Sequence, residues 1–168
     1  MPRNVIKLGF TLNDQPVLLQ THPAARLLDI LRDDFGLKGT REGCARGECG
    51  ACLVLISGVA VNSCLVPAFT LSDAEIVTIE GIHSLKSFAD IRKALPDGSV
   101  YRCGFCSSGM EVALAALLLT DPEPGEQQIR KILSGNLCAC GSYGAVIRSV
   151  VERTIRRRSY GRRRVERS

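Results

Sequence analysis

The chain contains no tryptophan, and aromatic residues make up only 5% of its 168 positions. A surface that stacks nucleic-acid bases needs exposed rings, so this composition argues against one. Long apolar runs are also missing. The longest, Val112 to Leu119, falls far short of the roughly 20 residues that a helix needs to span a bilayer. The opening residues, MPRNVIKLGF, lack the continuous apolar stretch and small-residue cleavage site of a secretory leader. A soluble, cytoplasmic protein is expected. Histidine is scarce, and His22 and His83 stand apart from every cysteine, so surface or capping roles are expected for both.

The formal charge of +5 misrepresents most of the molecule. From Glu152 to Ser168 there are eight arginines and two glutamates, a net +6, which leaves −1 for everything before. Basicity is therefore confined to one end, and a flexible basic tail is expected over 159–168. Such a tail fits a solvated or partner-docking segment better than a nucleic-acid-binding one.

Against these scarcities stand eight cysteines, at 44, 49, 52, 64, 103, 106, 138 and 140. Disulfide frameworks belong to short exported chains, and clustered thiols in a reducing compartment are better explained as metal ligands. The cysteines form two quartets separated by 38 residues without a thiol.

The patterns around the quartets differ. Loose alternation from Val5 to Thr21 about an Asn13-Asp14 turn predicts a hairpin. LLDILRDDF, Leu27 to Phe35, places Leu27, Leu28, Ile30 and Leu31 on one helical face. CLVLISGVAVNSC predicts a second hairpin turning at Ser57-Gly58, and EIVTIEG a last strand. This order is that of a β-grasp sheet, expected over residues 1–81. Beyond Gly81 the period becomes helical, with helices expected at 85–95, 109–120, 126–133 and 143–157. An α+β chain follows: a ferredoxin-like β-grasp domain, then a small four-helix domain over 82–158. Domains of this size commonly need a metal staple.

The first quartet reads Cys44-x4-Cys49-x2-Cys52-x11-Cys64, the plant-type [2Fe–2S] spacing of three ligands in one loop and a fourth farther on. A diiron cluster needs four thiolates about a body larger than one ion, whereas zinc is satisfied by a compact tetrahedron. Gly43, Gly47 and Gly50 are expected to take positive φ and to bring backbone N–H groups close to the cluster. With no histidine in the quartet, a Rieske centre is disfavoured. The second quartet, Cys103-x2-Cys106, 31 residues, Cys138-x1-Cys140, suggests ligands at the N-termini of two helices, where the helix dipole favours negative charge. Spacing alone leaves a zinc site open here.

Taken together, LRDDFGLKGTREGCARGECGACLVLISGVAVNSC, CGFCSSGM and GNLCACGSYGAVIRSV resemble the iron–sulfur subunit of the xanthine oxidase family of molybdenum hydroxylases. That family includes carbon monoxide dehydrogenase, aldehyde oxidoreductase and the purine, nicotinate and isoquinoline dehydrogenases. The resemblance runs from about Val5 to Arg157 and covers the order and spacing of all eight cysteines. It implies one [2Fe–2S] cluster on Cys44, Cys49, Cys52 and Cys64, and a second on Cys103, Cys106, Cys138 and Cys140. It also implies a large partner subunit with molybdopterin and a medium one with FAD, electrons passing from molybdenum to the helical-domain cluster, to the plant-type cluster, to FAD. No bond-making residue is expected on this chain.

Four departures from the family pattern lie beside the second quartet. Arg102 replaces the usual Gln, Ser107-Ser108 the usual Thr-Pro, Ala139 the usual Arg, and Gly141-Ser142-Tyr143 the usual Thr-Gly-Tyr. Cys140 resembles the family cysteine that ligates iron and lies against the pterin, and Arg102 is a candidate contact to an anionic group there. Two competing readings are a zinc-stapled interaction protein with a nucleic-acid-binding tail, and a stand-alone ferredoxin.

Overall fold

The computed structural model describes residues 4–165, with side chains through Thr154. Strands β1 (Ile6–Leu12) and β2 (Gln15–Thr21) form an antiparallel hairpin paired from Ile6–Thr21 to Leu12–Gln15. Asn13 and Asp14 at its tip both have positive φ, 50° and 62°. That is the backbone of a type I′ turn, whose twist matches that of the flanking strands. Ser57 and Gly58 repeat this conformation between β3 (Leu53–Ile56) and β4 (Val59–Asn62). A short β5 (Glu75–Val77) fills the centre, parallel to β1 and antiparallel to β3. The sheet order is β2-β1-β5-β3-β4, the mixed β-grasp arrangement.

One turn of α-helix, α1 (Leu27–Asp29), crosses this sheet and widens into a π-helical turn at Ile30–Asp34. The ordinary helix expected over 27–35 is therefore only partly formed. Phe35 donates to the carbonyl of Ile30 and Leu37 to that of Leu31, and the wider turn ends at Gly36, φ 68°. Leu27, Leu28, Ile30 and Leu31 are all buried, three of them against Leu8, Phe10, Leu12, Val54, Leu71 and Ile76. Phe10 and Phe35 meet edge to face, with ring centroids 6.2 Å apart.

A second correction concerns EIVTIEG. The strand stops at Val77, and Ile79–Ser84 forms a helix, α2. The cause is tertiary. Asn13, at the tip of the first hairpin, accepts the Thr78 N–H at 2.9 Å and donates to the Thr78 hydroxyl at 3.1 Å. Gly81 then passes so close that a Cβ there would stand 2.2 Å from Asn13 Oδ1.

The remaining helices are α3 (Ala89–Ala94), α4 (Ser107–Thr120), α5 (Glu126–Leu133) and α6 (Tyr143–Val165). They correspond to the four expected from the sequence. α3 is shorter than expected because a 3-10 turn, Lys86–Phe88, precedes it and Leu95, extended before Pro96, ends it. α4 begins two residues earlier than expected, and α6 continues past Arg157 to Val165. The side chains of the basic tail lie outside the described residues.

α4 is the centre of this half. Residues Ser108 through Ala115 and Leu118 are all buried, as expected of a helix surrounded on every side. Its core includes Ile82, Ile91, Ile129, Leu133, Val146 and Val150, and also Leu55 and Val77 of the sheet. The two halves are therefore joined by one continuous apolar core.

Candidate iron–sulfur sites

The loop from Gly39 to Cys52, between the π-helical turn and β3, has no regular structure. Gly47 and Gly50 have positive φ, 81° and 68°, as expected. Gly43 does not, and Ala45, φ 56°, takes the third left-handed position instead. The reason for glycine at 43 is steric. A Cβ there would stand 2.7 Å from Cys49 Sγ. The resulting loop turns backbone N–H groups inward, and Glu48 and Cys49 donate to Cys44 Sγ at 3.2 and 3.4 Å. The N–H groups of Arg46 and Glu48 bring the Cys44 thiol down to about 6, so this sulfur favours the thiolate. Cys64 is buried, and with Cys52 beside it its thiol is pushed up to about 11.

The cysteines of the first quartet come together two by two. Cys49 donates its N–H to Cys44 Sγ, Cys52 and Cys64 pack against each other, and Cys64 also feels the charge of Cys44. Cys52 and Cys64 are packed with Leu28 beneath the sheet. The second quartet has the same arrangement. Cys103 and Cys140 have their sulfurs 3.2 Å apart, and Cys106 and Cys138 lie near enough to affect each other's ionisation. Burial beside Cys138 pushes the Cys106 thiol up to about 12. Burial opposes ionisation of Cys138 as well, but the Ser142 N–H, 3.4 Å from its sulfur, helps hold it below the ordinary thiol value. Cys106 caps α4, and Cys138 and Cys140 precede α6 by a few residues. None of the eight cysteines is in a disulfide.

This two-plus-two pairing fits a rhombic diiron cluster, in which each iron takes two thiolates. Among the described residues, no group of three or more His, Cys, Asp or Glu side chains converges as a site for a single metal ion. The donor set is all sulfur, and N–H groups are directed at it, as the negative charge of a thiolate-bound cluster requires.

Several residues beyond the cysteines shape these sites. Asn62 and Asn136 each stand two positions before a cysteine, and each donates its side-chain amide to a carbonyl of the glycine-rich loop. Asn62 reaches Gly47 and Asn136 reaches Gly50, both at 3.1 Å. The repeated Asn-x-Cys is a signal that the sequence carried and that spacing arguments about cysteine pass over. Tyr143 accepts the N–H of Cys138 at 2.8 Å and donates to the carbonyl of Asn136, which fixes the loop ahead of α6. Arg102 donates its backbone N–H to Ser142 Oγ at 3.3 Å and its guanidinium to the Cys140 carbonyl at 3.4 Å. The histidines are remote: His22 accepts the N–H of Ala24, and His83 pairs with the buried Glu111 at 2.8 Å.

The two ligand loops touch. Leu137 donates its backbone N–H to the carbonyl of Cys49 at 2.9 Å. The first turn of α4 presses on the same stretch, where a Cβ on Gly109 would stand 2.0 Å from the carbonyl oxygen of Gly50.

Comparison with known proteins agrees with this geometry. Residues 10–77 match the family described as a 2Fe-2S iron-sulfur cluster binding domain, and residues 78–151 match the [2Fe-2S] binding domain. One of the nicotinate dehydrogenase subunits of Pseudomonas putida is 41% identical over 143 residues, which are 85% of this chain and 91% of that protein. The nicotinate dehydrogenase small FeS subunit of Eubacterium barkeri is 37% identical over 153 residues, 89% of this chain and 98% of that one. Among solved structures, quinoline 2-oxidoreductase from Pseudomonas putida 86 superposes with a TM-score of 0.78 at 31% identity, covering 90% of this chain and 94% of that chain. Two adjoining cluster-binding domains, matched along nearly the whole chain by such subunits, make this protein a member of the iron–sulfur subunits of the xanthine oxidase family of molybdenum hydroxylases.

Proposed function

We propose that this chain is the electron-relay subunit of a cytoplasmic molybdenum hydroxylase, with one [2Fe–2S] cluster in each domain. Cys44, Cys49, Cys52 and Cys64, within residues 1–81, hold the first, and Cys103, Cys106, Cys138 and Cys140, within 82–158, hold the second. The observation that carries this reading is that the fold gathers one all-cysteine quartet in each of two regions that match 2Fe-2S binding domains. When bound, each cluster supplies a site that accepts and passes on one electron.

The chain's own residues do the rest. Thiolates and N–H donors hold the negative charge, and donors such as the Glu48 and Cys49 amides favour the reduced form by stabilising added charge. Cys138, Leu137 and the hydrogen bond from Leu137 to Cys49 form a short continuous path between the two ligand sets. Cys140 and Arg102 are assigned to the face toward a molybdopterin-bearing large subunit, and the first-domain loop to a medium subunit with FAD. The nicotinate and quinoline enzymes among the relatives favour a nitrogen heteroaromatic as the substrate of the whole complex.

Iron and acid-labile sulfide analysis tests the reading. Four of each per chain, a red-brown chromophore, and co-purification with two larger subunits are expected. About two zinc ions per chain and no visible colour would instead establish the zinc-stapled alternative.

A further inference from the structure

Arg41 makes a cross-domain contact separate from the Leu137–Cys49 junction. Its position in the first domain is set by its backbone N–H, which donates to the Ala51 carbonyl at 3.2 Å, next to Cys52. Its side chain leaves that domain. One guanidinium nitrogen donates to the Gly104 carbonyl at 2.7 Å, and the guanidinium carbon lies 5.6 Å from the centre of the Phe105 ring. Gly104 and Phe105 are the two residues between Cys103 and Cys106. The Phe105 ring also rests against the first loop, since a Cβ on Gly43 would lie 3.6 Å from its Cε1 atom. One cation thus ties the loop of Cys44, Cys49 and Cys52 to the loop of Cys103 and Cys106.

Docking of the two domains does not depend on this tie. The continuous core from Leu55 and Val77 to α4 holds them together, and Asn136 and Leu137 add a separate polar junction. What Arg41 adds is directional. A charge-assisted hydrogen bond and a cation–π contact together restrict where the Cys103–Cys106 loop can sit.

We infer that Arg41 is a positioning residue for electron transfer between the two cluster sites: acting through Gly104 and Phe105, it sets their separation and relative orientation. This rests on the two-cluster reading. The test uses the cluster-loaded full chain with Arg41→Met, Phe105→Leu and, as a control, Arg130→Met, whose arginine bonds to Glu126 within α5. Iron and sulfide are counted first. Electron paramagnetic resonance of the fully reduced protein then reads the magnetic splitting that each cluster imposes on the other, which falls steeply with separation.

Arg41→Met is expected to keep the full iron content and to lose or markedly shrink the splitting. Phe105→Leu should change it less, in the same direction, and Arg130→Met should leave it unchanged. A fully loaded Arg41→Met with native splitting overturns the inference, as does a native chain with no splitting. If Arg41→Met does not load, native splitting in loaded Phe105→Leu overturns it. Fewer than four irons in the unsubstituted chain would instead defeat the two-cluster reading itself.

Discussion

Asn136 and Gly50 join the two domains through a buried polar contact: the fully buried Asn136 amide donates to the Gly50 carbonyl at 3.1 Å. A Cβ on Gly50 would stand 2.6 Å from that same amide nitrogen, so neither residue has room to change. Asn136→Ala removes this donor and leaves the buried Gly50 carbonyl with only the longer bond from the Leu53 N–H at 3.4 Å, at a cost of about 1 kcal/mol. Thermal unfolding of the cluster-loaded protein is expected to show the loss as a lowered midpoint.

Gly109→Ala tests the same junction from the helix side. The added methyl would meet the Gly50 carbonyl oxygen at 2.0 Å, with backbone on both sides and no flexible side chain to yield. Overpacking of this kind costs about 1–3 kcal/mol or more. Lower stability and a perturbed spectrum of the first cluster, whose loop contains Gly50, are expected.

Ser108 offers a gain. It is buried, its hydroxyl has no hydrogen-bond partner among the described residues, and the family pattern has proline there. Ser108→Ala removes an unpaired polar atom and is expected to raise stability by about 1 kcal/mol, measured by denaturant titration.

Glu111 predicts a pH effect. Burial raises its pKa above the ordinary 4.5, with His83 opposing. A carboxyl raised in the folded state binds more protons there than in the unfolded chain, so its stabilising contribution is complete below the unfolded value and is lost as pH rises through the folded one. Glu111→Gln keeps a hydrogen-bonding partner for His83 without that loss. Its stability relative to the native chain is expected to increase as pH is raised from about 4.5, and equal pH profiles for the two proteins would refute the assignment.

Arg102 stands where the family has glutamine, and its charge lies beside the Cys140 carbonyl. Arg102→Gln is expected to lower the reduction potential of the second cluster and to weaken retention of the proposed pterin-bearing partner, while Arg102→Lys preserves the potential. Unchanged potential and unchanged retention in the glutamine variant would count against both roles.

How much of this was readable beforehand can be followed residue by residue. Sheet, hairpin turns and helices follow from local causes: alternation in β1, Asn13-Asp14 and Ser57-Gly58 at the tips, and apolar spacing in α4 to α6. The cysteine sets were visible because a cluster demands a fixed number of thiolates at spacings the chain can wrap. Three features were not visible. α2 reads as strand because β-branched Ile76, Val77, Thr78 and Ile79 favour one, and only Asn13, 65 residues before Thr78, ends it. Gly43 reads as a turn residue but serves close packing against Cys49 Sγ. Arg41 reads as one more surface charge, since its partners Gly104 and Phe105 are over 60 residues away.

The sequence by itself determined how the eight cysteines group into two quartets and which elements carry them, because spacing and secondary-structure period act over a few neighbouring residues. The tertiary structure decided how the two ligand loops face each other. That depends on Leu137 meeting Cys49, Asn136 meeting Gly50 and Arg41 reaching Gly104. These contacts exist only after a shared apolar core has packed α4 against the sheet, and no local pattern encodes them.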